Sequence, residues 1–271
     1  MTFRDAGIIL ILVVEQFLLS SLPLDQFLYI TVKSTESNHN TRLKDLQNTW
    51  FKDLKQAEIN IVSDSENGLD GWLKEKVVAT NCGKSHARRD LVCKLQKELQ
   101  LFKHANAKWS CHFDDDSYVN VKNLKQFLSN YDENDVYYIG KAMTGPIKVN
   151  QDYKFMFATG GAGFCISRGV LNLLQDEAIA QFSHLSEELG MPDDMTLAVF
   201  LDKKAGVRLT YRSEFHSHLE SHLIHLQDLQ YQVSLARTVI PGTFAMDKVR
   251  WMEKIDCFLN LTRCKYQEYT A

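Results

Sequence analysis

From residue 27 onward, short apolar runs with strand character alternate with stretches of helical periodicity, and this alternation limits the fold more than any other feature. Residues 27–32 (FLYITV) read as a buried strand, and residues 41–54 follow with Leu43, Leu46, Trp50 and Leu54 at helical spacing. Residues 58–62 (EINIV) and 76–80 (KVVAT) supply two more strands around a turn-rich 63–68, and residues 91–104 return to helical period. A strand at 109–113 and a helix at 121–131, opened by Asn120 or an adjacent cap, come next. Residues 136–140, 155–159 and 163–167 read as strands around a glycine-rich bend, 168–179 as a helix, and 207–210 and the segment near Phe215 as final strands. Such alternation builds an α/β fold with a largely parallel sheet, whose ligands gather outside the strand carboxyl ends.

With 271 residues, 45% of them hydrophobic, the chain suffices for one substantial core. No repeat or Pro/Gly-rich linker divides it, so residues 24–271 are expected to form one domain after a leader at 1–23. A net charge of −3 disfavours binding to a nucleic-acid backbone, so no nucleic acid is expected as a partner. Residues 8–22 are mostly apolar with Arg4 before them, the pattern of a signal or signal-anchor segment; Glu15 and Gln16 interrupt the run, so cleavage and anchoring both stay open. Six cysteines with no C-x-x-C pair suit three disulfides in a secretory compartment, where the sequon at Asn260 can be used.

The chemistry concentrates first at Asp114, Asp115 and Asp116, just past the strand at 109–113. Adjacent carboxylates repel, and a hard divalent ion with open positions for phosphate oxygens offsets that cost. By itself DDD also describes a solvated acidic turn; the strand before it and the apolar Tyr118-Val119 after it favour the metal reading. In Phe215-His216-Ser217-His218, an extended backbone would turn both histidines to one face, offering a nitrogen ligand. His222 and His225 are read as surface residues on a helix, since no H-E-x-x-H pattern contains them. Pro192-Asp193-Asp194 opens an apolar helix, so these acids serve either its free N–H groups or as a general base. Thr159-Gly160-Gly161-Ala162-Gly163 fits neither a P-loop nor a dinucleotide fingerprint; it is a tight bend or a place where backbone approaches a ligand closely.

Together, CHFDDDSYVN (111–120), FATGGAGFC (157–165), PDD-x-T (192–196) and FHSHLE (215–220) resemble, in order, the Fringe family of β1,3-N-acetylglucosaminyltransferases, over about residues 27–264. That resemblance implies a GT-A fold: a single Rossmann-like domain with a mainly parallel, mixed central sheet and flanking helices. It implies Asp116 and His218 as manganese (Mn2+) ligands, Asp115 as a donor contact, Asp194 as catalytic base, and Arg42 as a donor-binding arginine whose fork suits a diphosphate. It also implies the pairs Cys82–Cys93, Cys111–Cys165 and Cys257–Cys264.

The activity implied is inverting transfer of GlcNAc from UDP-GlcNAc to the 3-hydroxyl of O-linked fucose on EGF-like repeats of Notch-type receptors, modulating Notch signalling. The implied location is the Golgi membrane as a single-pass type II protein, with secretion after cleavage as the alternative. Other readings of the same acids are an O-glycan galactosyltransferase of the wider β1,3 group and a metal-dependent phosphoesterase. FHSHL and the Cys111/Cys165 pair favour the Fringe reading over the galactosyltransferase.

Overall fold

The computed structural model describes residues 26–149, 153–248 and 250–264. The leader expected at 1–23 lies outside the described residues; among those described, no helix is long and apolar enough to cross a membrane.

The strands are β1 (Gln26–Lys33), β2 (Ile59–Ser63), β3 (Val77–Ala79), β4 (Ala107–Asp114), β5 (Ser117–Val119), β6 (Tyr138–Gly140), β7 (Ile147–Lys148), β8 (Lys154–Phe155), β9 (Phe164–Ser167), β10 (Leu209–Tyr211) and β11 (Ser234–Ala236). Seven form one sheet in the order β10-β6-β9-β4-β1-β2-β3. The pairs β1–β2, β1–β4, β2–β3 and β6–β10 are parallel, while β9 runs antiparallel to both β4 and β6. The sheet is therefore mainly parallel and mixed. β5 and β11, and β7 and β8, pair as small antiparallel ribbons.

Side-chain alternation along β1 and β4 divides the interior into two layers. Leu28, Ile30, Val32, Trp109, Cys111 and Phe113 pack on one face beneath the helices Arg42–Asn48, Val121–Leu128 and Trp251–Leu259. Tyr29 joins the other layer, under the helices Arg88–His104 and Asp193–Ala205. Ser110, His112 and Asp114 have the parity opposite to Cys111 and Phe113. A polar triplet thus runs up one face of a central strand to its carboxyl end.

All six cysteines are paired, as Cys82–Cys93, Cys111–Cys165 and Cys257–Cys264. The central bridge joins directly opposed residues of β4 and β9, with Cα atoms 4.1 Å apart.

Several expectations are corrected. The segment at Phe215 is not a strand: residues 215–217 have no regular structure and a turn follows at 218–219. His216 and His218 therefore do not share a face. His216 turns inward to hydrogen-bond Gln232 Oε1 at 2.8 Å, whereas His218 is exposed. His222 and His225 lie in irregular chain, with only a 3-10 turn beyond them at Leu226–Tyr231. The strand expected at 155–159 shrinks to two residues, because Phe157–Thr159 leads into a 3-10 turn at Gly160–Ala162. The helix expected at 168–179 is two, Arg168–Leu173 and Asp176–Ala180, broken where fully buried Leu174 adopts an extended backbone.

Candidate functional site

The carboxyl ends of β1 and β4 open onto a cleft of about 410 Å³. The acidic turn Asp115-Asp116 links β4 to β5 and forms one wall. Gly160 and Gly161, before β9, and Asp193 and Asp194, at the start of their helix, form another; His218 stands at the rim with Leu219. Parallel strands feeding one edge bring these residues together, although they span sequence from Lys33 to Leu219.

The three aspartates have unlike surroundings. Asp115 is buried and accepts hydrogen bonds from Ser34 Oγ (2.7 Å), Asn38 Nδ2 (2.8 Å) and Arg42 Nη1 (2.7 Å). Asp116 is part-exposed and lies 3.3 Å from the same guanidinium. Burial and the neighbouring Asp114 push its carboxyl above the usual range, with Arg42 acting against them. Asp114 moves the other way. Burial opposes its charge, but the His112 imidazole and Lys33 outweigh burial and hold it well below the usual range.

The charge under Asp114 comes from a fully buried pair, His112 Nδ1 and Glu98 Oε2 at 2.6 Å. Burial disfavours an imidazolium, yet the Glu98 charge lifts His112 to about 9. Its other nitrogen faces Asp114 Oδ1 at 3.4 Å, and the ring stacks on Phe164.

Asp193 and Asp194, adjacent in sequence, are also separated by the fold. Lys33 Nζ binds Asp193 Oδ2 at 2.6 Å, with little solvent access to either side chain. Asp194 receives only backbone donors, Met195 N–H at 2.8 Å and Gly160 N–H at 3.3 Å. Burial, then the adjacent Asp193, raise its carboxyl to about 6. That is the range of a general base working near neutrality.

Gly161 lies beneath His218: a Cβ at this position would come within 3.1 Å of His218 Nδ1. Two buried serines knit the surrounding segments. Ser117 Oγ donates to Gly161 O (3.2 Å) and Ser234 Oγ to Ala162 O (2.6 Å), while Ser234 Oγ accepts from His216 N–H. The acidic turn, the glycine bend and the FHSH segment are therefore one mechanically linked unit. Among the described residues, no three His, Cys, Asp or Glu side chains converge as a metal cage. Asp116, whose charge burial and Asp114 disfavour and a cation would favour, and His218 at the same cleft are an oxygen and a nitrogen donor. Such a pair fits a divalent cation that takes its remaining ligands from phosphate and water.

Sequence reasoning missed Lys33, Ser34, Asn38, Lys94, Glu98 and His112. A signal existed for two of them. Lys94 and Glu98 fall on the apolar stripe of their helix with Leu95, Leu99 and Phe102, and a charged residue on a buried stripe needs a partner. Lys94 finds Asp64 and Ser34 O, both at 2.9 Å, clamping the ends of β1 and β2 together.

The Fringe-like family profile matches residues 23–256, and the chain belongs to that family. It is 37% identical over 222 residues to β-1,3-N-acetylglucosaminyltransferase lunatic fringe of Xenopus laevis, covering 77% of this chain and 58% of that protein. It is 40% identical to the Danio rerio lunatic fringe (72% and 54% covered) and 35% identical to the Fringe glycosyltransferase of Drosophila melanogaster (82% and 57%). The chain thus spans between half and six-tenths of the length of these relatives. Among solved structures, a glycosyltransferase involved in glycosylation of the major capsid of PBCV-1 aligns at 14% identity and a TM-score of 0.47, over 83% of this chain and 99% of that one.

Proposed function

We propose that this chain is an inverting, metal-dependent glycosyltransferase of GT-A type that moves GlcNAc from UDP-GlcNAc in β1,3 linkage to O-linked fucose on EGF-like repeats, as in Notch-type receptors. The observation that carries the reading is the division of labour among the acids of one cleft. Asp194 is lifted to about 6 and bonded by backbone N–H groups and, among the described residues, by no cationic side chain, while Asp114–Asp116 line the same cleft beside Arg42. Membership of the Fringe-like family supports the donor and the linkage.

Asp194 takes the proton of the fucose 3-hydroxyl as that oxygen attacks the anomeric carbon, the bond to UDP breaks, and configuration inverts. Arg42, oriented by Asp115, supplies a guanidinium fork to the diphosphate, and Asp115 limits where that part of the donor sits. Asp116 and His218 are the residues that would hold Mn2+, which when bound offsets the charge developing on departing UDP. Lys33 keeps Asp193 occupied, so a single carboxylate is left for proton transfer.

Three disulfides suit an oxidising compartment, which supports the reading of a Golgi enzyme held by, or cleaved from, its N-terminal segment. The deciding assay presents a fucosylated EGF repeat and its unfucosylated form with a panel of UDP-sugars and Mn2+. Transfer of GlcNAc to the fucosylated repeat alone is expected. Preference for UDP-galactose would move the enzyme elsewhere in the β1,3 group, and phosphate release without transfer would make it a phosphoesterase. Asp116→Ala should abolish Mn2+-dependent UDP binding in calorimetry.

A further inference from the structure

His218 is exposed and sits on a turn with no regular secondary structure, yet a metal ligand has to be held to within a fraction of an ångström to act. The structure shows what holds it. Two residues further on, the Glu220 carboxylate is fully buried beneath the turn and engages both sides of it. Oε1 accepts the Ser217 backbone N–H at 3.0 Å, closing the turn on itself. Oε2 accepts Lys141 Nζ at 2.7 Å and lies 3.1 Å from His216 Nδ1. Lys141 follows β6 directly, so this contact anchors the turn to the central sheet.

The ring of His216 is fixed at its far side as well. Gln232 Nε2 donates to Asp228 O at 2.7 Å, which turns Gln232 Oε1 toward His216 Nε2 at 2.8 Å and makes that nitrogen the donor. Lys141 and His216 are themselves nearly inaccessible to solvent. A buried lysine and a buried glutamate are costly to assemble and are weak justification for stability alone. Here they converge on the turn that carries His218, the candidate nitrogen ligand, and neither lines the cleft.

We propose that Glu220, anchored by Lys141, is a positioning residue for metal binding: it clasps residues 216–220 so that His218 is presented over Gly161 to a divalent cation. The proposal rests on His218 being a metal ligand. Partners outside the first coordination sphere typically contribute about 10–100-fold to metal affinity by orienting the ligand. Glu220 would do so through the backbone of the turn, since it bonds Ser217 N–H and not the imidazole of His218.

The test is Mn2+ affinity of the full chain in the presence of UDP, read by electron paramagnetic resonance of free Mn2+, for His218→Ala, Glu220→Ala, Glu220→Gln, Lys141→Met and the double variant His218→Ala/Glu220→Ala. Thermal unfolding of each serves as the check on folding. Glu220→Ala and Lys141→Met should weaken Mn2+ binding about tenfold or more. Glu220→Gln, which keeps an acceptor for Ser217 N–H, should lose less than Glu220→Ala. The double variant should bind no more weakly than His218→Ala alone, because a residue acting only through His218 has nothing left to position. Additive losses, or unchanged Mn2+ affinity in both folded Glu220→Gln and Lys141→Met, would overturn the proposal. Unchanged affinity in His218→Ala would instead remove the ligand assignment beneath it.

Discussion

Lys33 and Asp193 form a buried ion pair of 2.6 Å across 160 positions of sequence, and the pair decides which of two adjacent aspartates is available for chemistry. Asp193 is ion-paired, while Asp194, one residue later, has a carboxyl lifted to about 6 by burial and by Asp193. A strand-end lysine thereby gives two adjacent carboxyls unlike surroundings.

Asp194→Asn should reduce transfer by roughly 10²-fold or more while UDP binding stays near that of the parent. The same variant should unfold at higher temperature. A carboxyl whose ionisation is opposed by burial costs stability once charged, and removing it should stabilise the fold at neutral pH by on the order of 1 kcal/mol after solvent screening. Calorimetric unfolding and a transfer assay on one preparation test both halves; normal turnover would sink the assignment.

The pH profile follows from the same group. Because its folded pKa is raised, Asp194 loses its basic form as pH falls through about 6, so kcat/KM should decline below that point with unit slope. Its effect on stability runs oppositely. The folded state holds this proton more tightly than the unfolded chain does, so protonation adds stability as pH drops from about 6 toward the ordinary carboxylate range. A pH–rate profile flat through that interval would contradict the base assignment.

Lys33→Met keeps the apolar stem but leaves Asp193 without its cation. Breaking a buried pair costs about 3 kcal/mol, so a lower Tm is expected. Lys33 also holds Asp194 down, so the acidic limb of the rate profile should move to higher pH. A profile that does not move would show that Lys33 acts only on stability.

Gly161→Ala should weaken metal binding with little loss of fold. The added methyl would meet His218 Nδ1 at 3.1 Å, and an exposed ring can retreat by a few tenths of an ångström. Gly163→Ala makes the contrast. Gly163 has φ +82°, and a Cβ there would fall 2.3 Å from the Phe113 ring, so this change should impair folding itself. Mn2+ titration and Tm on the two variants separate these effects.

Replacing Cys111 and Cys165 together by Ala should lower stability by about 2–4 kcal/mol, since the bridge closes a 54-residue separation between paired strands. Donor affinity should fall with it, because β4 carries the acidic turn and β9 follows the glycine bend. Denaturant unfolding and UDP titration give the two readouts.

Much of the fold was legible because periodicity is a local property. The apolar run at 27–32 became β1, the strand at 109–113 became β4 with one residue more at its acidic end, and the acids lie at the carboxyl edge where alternation puts them. The segment at Phe215 misled because Phe215 is a buried aromatic set among polar neighbours, although it joins no strand and its nearest backbone bonds are those that Glu214 O accepts from Val233 and Ser234 N–H. Leu174 ended a helix that local pattern continued: its side chain is fully buried and its backbone extended. Glu98 and Lys94 carried a faint signal, as charges on an apolar stripe, but their partners His112 and Asp64 are far away in sequence.

The sequence by itself determined the α/β class, the position of the acidic turn at a strand end, and the four motifs that resemble one family. The unlike surroundings of these acids were set by tertiary structure. Asp114 is held low by His112 and Lys33, Asp115 is covered by Ser34, Asn38 and Arg42, Asp116 is raised by burial and Asp114, Asp193 is paired with Lys33, and Asp194 is raised by burial and Asp193. The physical reason is that elements form from short-range spacing, whereas the charge state and orientation of a side chain are set by burial and by partners that only the folded sheet brings within a few ångströms.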